Sequence, residues 1–211
     1  MIEIERISPV VFKSTPVKTE RRGNWNVVLE YSTEGDGPYL VDLSHKPRFD
    51  LQDSDLAAKK PFGIDLPETP GSSVLEKGIL ANRMNGTQVS LYNLGGEDDP
   101  TIVEDYGITD VTESTLFVAL LGTSIFSICE KLTALDFMDP ARTAPFLFQG
   151  PFSHVPCQIV TLEKKDDNTG LVLTCSRGYG QDIVHSILQA GEEFGLKPAG
   201  ENRFTAWIKS L

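Results

Sequence analysis

Cysteine, histidine and basic charge are all scarce in this chain of 211 residues. Its three cysteines are odd in number, and Cys129, Cys157 and Cys175 stand far apart among apolar neighbours. That usage points to reduced, buried thiols and excludes a disulfide framework. His154 and Cys157 have a spacing that a metal ion accepts, but no second such pair lies nearby, so structural zinc is not expected. Nineteen basic residues stand against thirty acidic ones, a net charge of −11. This balance repels phosphate backbones and anionic lipid, so neither nucleic acid nor a membrane surface is the expected partner. No apolar run reaches the length of a bilayer span, and the opening MIEIERISPV lacks the basic region and cleavage site of a leader, which places the expected location in the cytoplasm. Also missing are a G-x-S-x-G elbow, the lysine of a phosphate-binding loop and the third glycine of a dinucleotide fingerprint.

What is present is a chain of ordinary globular composition, with 40% apolar and 23% charged residues. NWNVVLEYS and YLVDLSHKPRFDL are rich in β-formers, and Pro47 implies that the second strand bends or lies at an edge. From Leu51 to Ser73, Pro, Gly, Ser and acids concentrate, which reads as irregular surface chain with at most a short helical turn. TQVSLYNLGG resumes the strand pattern. GGEDDPTIVEDYG is a polar connection, and a subdomain division is expected near Gly107, giving an N-terminal unit over 1–107 and a C-terminal unit over 108–211 within one integrated structure.

STLFVALLG reads as a strand buried on both faces. Ile125, Ile128, Cys129, Leu132 and Leu135 then recur at helical spacing, with Thr123 or Ser124 as N-cap. HVPCQIVTLEKKDDNTGLVLTCS predicts a hairpin turned at KKDDNTG. Ile183, Val184, Ile187, Leu188 and Phe194 form a second helical stripe that Gly195 and Pro198 stop. FTAWIKSL reads as a closing strand. Strands joined by hairpin-length turns, with few helices among them, define an α+β class with mainly antiparallel sheets.

The chemistry-bearing letters are few. On a strand, Asp42 and Ser44 would share a face and His45 the other, which opposes a local Ser-His-Asp relay. RGYGQD could cradle an anion on free amides, or serve as a turn and helix entry, and the second reading is the simpler one. The acidic runs GGEDDP and EKKDDN read as solvated turns. No residue is assigned a catalytic role and none a metal.

Two stretches carry a resemblance. YLVDLSHKPRFDLQDSD is similar to the Asp-Leu-Ser-His element of glycine-cleavage T-protein, and SILQAGEEFGLKPAGENRF resembles that family's Ala-Gly-x-x-Phe-Gly-Leu-Lys-Pro-x-Gly helix end. TLFVALLGTSIFSICEKLTALDF and FLFQGPFSHVPCQIVTLEKKDDNTGLVL resemble the segments between them. On these grounds the chain resembles the aminomethyltransferase (T-protein) folate-binding superfamily, which implies α+β subdomains around a central cleft. The resemblance also implies departures. Thr87 and Gln88 stand where the family has acids, Val172 stands where its pterin-gripping Glu belongs, and Phe204 replaces the Asp after the folate-contacting Arg. Arg203 matches that Arg and is the one cofactor-binding candidate, with internal pairing to an acid such as Glu201 or Asp182 as the alternative.

The chain also stops where the family continues into a further β domain. This shortened form resembles the gamma subunit of heterotetrameric sarcosine oxidase and implies an accessory subunit assembling with a larger flavin- or folate-binding partner. In the isolated chain no cofactor is expected, and tetrahydrofolate belongs to a complex. The alternatives are a folate-dependent aminomethyl or methyl transferase completed by another chain, and a folate or small-anion sensor. Phe204, Trp207, Ile208 and Leu211 are expected to serve as apolar anchors for the hetero-oligomer.

Overall fold

A computed structural model describes residues 4–95, 107–165 and 168–211. The chain opens with an antiparallel hairpin of β1 (Pro16–Arg22) and β2 (Trp25–Tyr31). It continues through β3 (Tyr39–Asp42), β4 (Arg48–Gln52), β5 (Ser73–Glu76), β6 (Ile79–Arg83), β7 (Gln88–Asn93) and β8 (Ile108–Asp110). There follow β9 (Thr115–Leu121), the short helix α1 (Ile125–Glu130), β10 (Phe146–Phe152), β11 (Val155–Glu163) and β12 (Gly170–Ser176). The helix α2 (Gly180–Gly191), β13 (Lys197–Ala199) and the helix α3 (Glu201–Ile208) complete it.

Two larger sheets result, one ordered β10-β11-β12-β9-β3-β13 and one ordered β5-β6-β7-β4-β8. Their pairings are antiparallel except that of β13 with β3. The architecture is therefore α+β with mostly antiparallel sheets and few helices.

β9 explains how the layers assemble. Leu116 to Leu121 are all buried, and alternate side chains enter different cores. Leu116, Val118 and Leu120 meet Ile125 and Ile128 of α1 and Ile183, Val184 and Ile187 of α2. Phe117, Ala119 and Leu121 meet Leu80, Tyr92 and Leu94 of the five-stranded sheet and Phe204 of α3. The continuous apolar run is thus a central strand between two apolar layers.

Several sequence expectations need correction. YLVDLSHKPRFDL is two strands in two different sheets, because the chain turns between Leu43 and Pro47, where Lys46 N donates to Leu43 O at 2.8 Å. Neither strand is an edge: β3 lies between β9 and β13, and β4 between β7 and β8. The irregular chain after Leu51 is no mere surface loop. Two single 3-10 turns, Leu56–Ala58 and Pro61–Gly63, bring Leu56 and Ile64 onto the outer face of the five-stranded sheet to close a third core with Phe49, Leu51 and Leu91. The helix after β9 is only six residues long, and Ser124 at its cap position makes no side-chain cap bond.

The largest correction falls on FTAWIKSL, which is the body of α3 and not a strand. Phe204, Trp207 and Ile208 pack on the inter-sheet core at the spacing of one helix face. The division expected near Gly107 is crossed by pairings on both sides: β3 lies within the sheet built from later strands, and β8 pairs back with β4. The acidic run from Glu97 to Asp99 and the pair Asp166 and Asp167 lie outside the described residues.

Candidate functional site: the cleft between the sheets

The letters Asp, Ser and His of the 42–45 turn go to separate structural tasks. Ser44 is fully buried, and its hydroxyl accepts from Phe117 N at 3.3 Å and donates to Phe117 O at 3.4 Å. It thereby continues the β3–β9 ladder past the end of β3 and is no nucleophile. Asp42 accepts from Ser44 N at 2.9 Å and from the hydroxyl of Ser8 at 2.6 Å. His45 Nε2 faces Glu201 Oε1 at 3.2 Å.

Glu201 is the centre of a buried charge cluster. It is 2% exposed and also meets Lys46 Nζ at 2.9 Å and Arg22 Nη1 at 2.5 Å. Burial pushes its carboxyl up, but the approach of His45 and the charge of Lys46 outweigh that and hold the group well below the usual carboxylate range. Asp42 and His45, with Ser8, Trp25, Asn26 and Tyr31, line a small cavity of about 130 Å³. Among the described residues no carboxylate forms an ion pair with the fully buried Arg48. Its guanidinium donates to Lys46 O at 2.7 Å, to Thr115 Oγ1 at 2.9 Å and to Thr112 O, and it lies 5.0 Å from the Phe117 ring centre. Burial lowers it to about 10. This arginine ties the turn before β4 to the start of β9.

The larger concavity, about 510 Å³, opens along one face of β10, β11, β12 and the first residue of β9. Register places Gln149, Gln158 and Thr174 in one row on that face, and Pro151, Pro156, Ser176 and Thr115 in the next. The same row meets the five-stranded sheet. Tyr92 of β7 donates to Gln158 Oε1 at 2.5 Å and lies 3.3 Å from Thr174 Oγ1, while Gln149 Nε2 donates to Met84 O at 2.8 Å. Behind Tyr92 runs a polar ladder: Ser90 Oγ donates to Tyr92 at 3.3 Å, Asn82 reaches Ser90 at 3.4 Å, and Ser73 Oγ donates to Asn82 Oδ1 at 2.7 Å. Burial raises the phenol of Tyr92, which keeps it a neutral donor. The cleft therefore presents amides and hydroxyls, groups that bind by hydrogen bonding, and Cys157 and Cys175 also line it.

A carboxylate does stand near this face, where sequence reasoning missed it. Gln88 occupies the position at which an acid was expected, and its Nε2 donates to Asp50 Oδ1 of β4 at 2.7 Å. The other oxygen of Asp50 accepts from Gln52 at 2.5 Å. Neighbouring strands supply what one strand lacks, and only the register of β4 with β7 brings them together. Val172, by contrast, is 1% exposed and sealed within the inter-sheet core.

Arg203 does not line the cleft. Its Nε donates to Glu34 Oε2 at 2.8 Å, and its guanidinium lies over the Tyr39 ring at 5.1 Å. The acid it meets is neither Glu201 nor Asp182. Glu34 in turn accepts from Tyr31 N at 2.9 Å and Gly200 N at 2.8 Å, so the pair clasps the end of β2 to the start of α3. The RGYGQD stretch is a 3-10 turn leading into α2. All three cysteines are free and buried. Among the described residues no group of three or more His, Cys, Asp or Glu is arranged to hold a metal ion, and no helix is long and apolar enough to cross a membrane.

The cleft and its two facing sheets define an α+β molecule in which mostly antiparallel six- and five-stranded layers share an apolar interior. A chain of the heterotetrameric sarcosine oxidase from Corynebacterium sp. U-96, solved in complex with pyrrole 2-carboxylate, has this fold. It matches with a TM-score of 0.58 at 13% identity, over 74% of this chain and 84% of that one. No family model matches the chain. No curated protein matches it either.

Proposed function

We propose that this chain is an accessory subunit of a heteromeric complex that oxidises amines or transfers one-carbon units, comparable to the sarcosine oxidase gamma subunit. The observation that carries this reading is the shared fold with a chain of heterotetrameric sarcosine oxidase, which extends over 84% of that chain. The chemistry of the cleft agrees with it. Neutral amides and hydroxyls line the face, while the strongly charged groups are committed to internal partners: Glu201 to Arg22, His45 and Lys46, and Arg203 to Glu34.

The residues present do not fit tetrahydrofolate in the isolated chain. Val172 is apolar and sealed, and both oxygens of Asp50 are taken by glutamine amides. Among the described residues there, a pterin finds no free carboxylate to accept its hydrogen bonds. Any folate or flavin chemistry belongs to the partner, and Arg203 would join it only by leaving Glu34. Purification from the native source, with mass spectrometry of the co-eluting chains, tests the assignment. A stoichiometric flavin- or folate-binding subunit is the expected companion, and a monomeric native preparation that turns over an amine alone would refute it.

A further inference from the structure

Cys157 of β11 and Cys175 of β12 stand directly opposite each other in the antiparallel ladder. Directly opposed residues in such a ladder have Cα atoms about 4.5 or 5.5 Å apart, depending on the hydrogen-bonding position. Both values fall within the roughly 4.4–6.8 Å that a disulfide spans. The two side chains also share a face, since both belong to the core against α1 and α2. Each is 5% exposed. Their place near the ladder's end supplies access: Cys175 is the last residue but one of β12, and Cys157 the third of β11. Strand ends open locally at low cost, so a small oxidant reaches the pair without global unfolding.

We propose that Cys157 and Cys175 form a redox-active dithiol, a modification site that a hydroperoxide converts to an intramolecular disulfide. Cys175 Sγ donates to Ser176 O at 3.5 Å, and the facing Cys157 thiol lowers the Cys175 thiol while its own is raised. In one order of attack Cys175 is the first nucleophile and Cys157 the resolving one. The Cys175 thiolate attacks a peroxide oxygen and the O–O bond breaks, leaving a sulfenic acid and hydroxide, which takes up the proton that Cys175 gave up. Cys157 then attacks the sulfenic sulphur, the S–O bond breaks and water leaves. In sum, two thiols and one hydrogen peroxide give one disulfide and two waters.

The site sits directly beneath the cleft. Gln158 and Thr174 flank the two cysteines in sequence and project from the opposite face, where both meet Tyr92. A bond between the cysteines joins β11 to β12 directly beneath the two groups to which Tyr92 is tied. Cys129 lies on α1.

The test uses the full chain, reduced and then exposed to hydrogen peroxide, with free thiols counted after denaturation and the product mapped by mass spectrometry. The thiol count is expected to fall from the initial three to one, with the loss of two hydrogen atoms and a peptide link between Cys157 and Cys175, all reversed by dithiothreitol. Cys129→Ser should retain the link. In Cys157→Ser, Cys175 should stop at the sulfenic acid and be trapped by dimedone; the mapping of the unsubstituted chain holds the test if that variant does not fold. Retention of all three thiols, oxygen addition without a link, or a disulfide between chains would overturn the proposal.

Discussion

Glu201 shows how one side chain organises its surroundings. Arg22, Lys46 and His45 converge on a carboxylate that is 2% exposed. Its removal leaves the buried Lys46 without its carboxylate partner. Glu201→Ala is therefore expected to cost about 3–5 kcal/mol in urea denaturation. Because the folded-state carboxyl is held below its unfolded value, its stabilisation is fully present above the unfolded range of about 4.3 and is lost as pH falls below it. The stability gap between the native chain and Glu201→Gln should narrow as urea midpoints are followed downward through that window. Arg203 is the milder case. Its side chain is 46% exposed, so Arg203→Ala should cost only about 0–1 kcal/mol. If it instead abolishes an anion-dependent thermal shift and leaves the ligand-free melting temperature unchanged, the cofactor role returns.

α3 owes its existence to contacts rather than to propensity. Phe, Thr, Trp and Ile favour strands, and the segment lacks a side-chain cap. Period-two and helical patterns are hard to separate over eight residues, and the core facing the helix selects between them. Phe204 is fully buried, so Phe204→Ala should cost about 3–5 kcal/mol. Two glycines seat the helix. A Cβ at Gly200 would lie 2.2 Å from the carbonyl carbon of Leu29, backbone that has nowhere to go. A Cβ on Gly170 would lie 2.1 Å from Trp207 Cζ2. Gly170→Ala is thus expected to destabilise by about 1–3 kcal/mol through overpacking. Combining it with Trp207→Ala should recover part of that loss as a measurable coupling energy, since the clash disappears with the indole.

For the whole molecule, the inward packing of α3 removes one argument for assembly. Phe204 is enclosed, and Trp207 rests on Gly170 and donates to Asn168 O at 3.3 Å, so these are not anchors held ready for a partner. Trp207→Glu should accordingly lower the melting temperature of the isolated chain, whether or not a partner is present. The case for a hetero-oligomer rests instead on the shared fold. Calorimetric titration of the pure chain with tetrahydrofolate should show little binding, and tight stoichiometric binding would move the reading toward an enzyme or a sensor.

Much of this architecture was legible in one dimension. STLFVALLG read as a strand covered on both sides, and the β11–β12 hairpin followed from two β-rich runs around a turn, because such patterns report local burial and local backbone geometry. The kink at Pro47 was legible too, but not that it carries the chain from one sheet into another. Strand order, register and the partners of charged groups are long-range properties. Asp50 reaches Gln88, Glu34 reaches Arg203, and Cys157 faces Cys175, only because distant segments pack into one interior. A sequence lists those groups without saying which will meet; hydrophobic burial of the layers between them makes that choice.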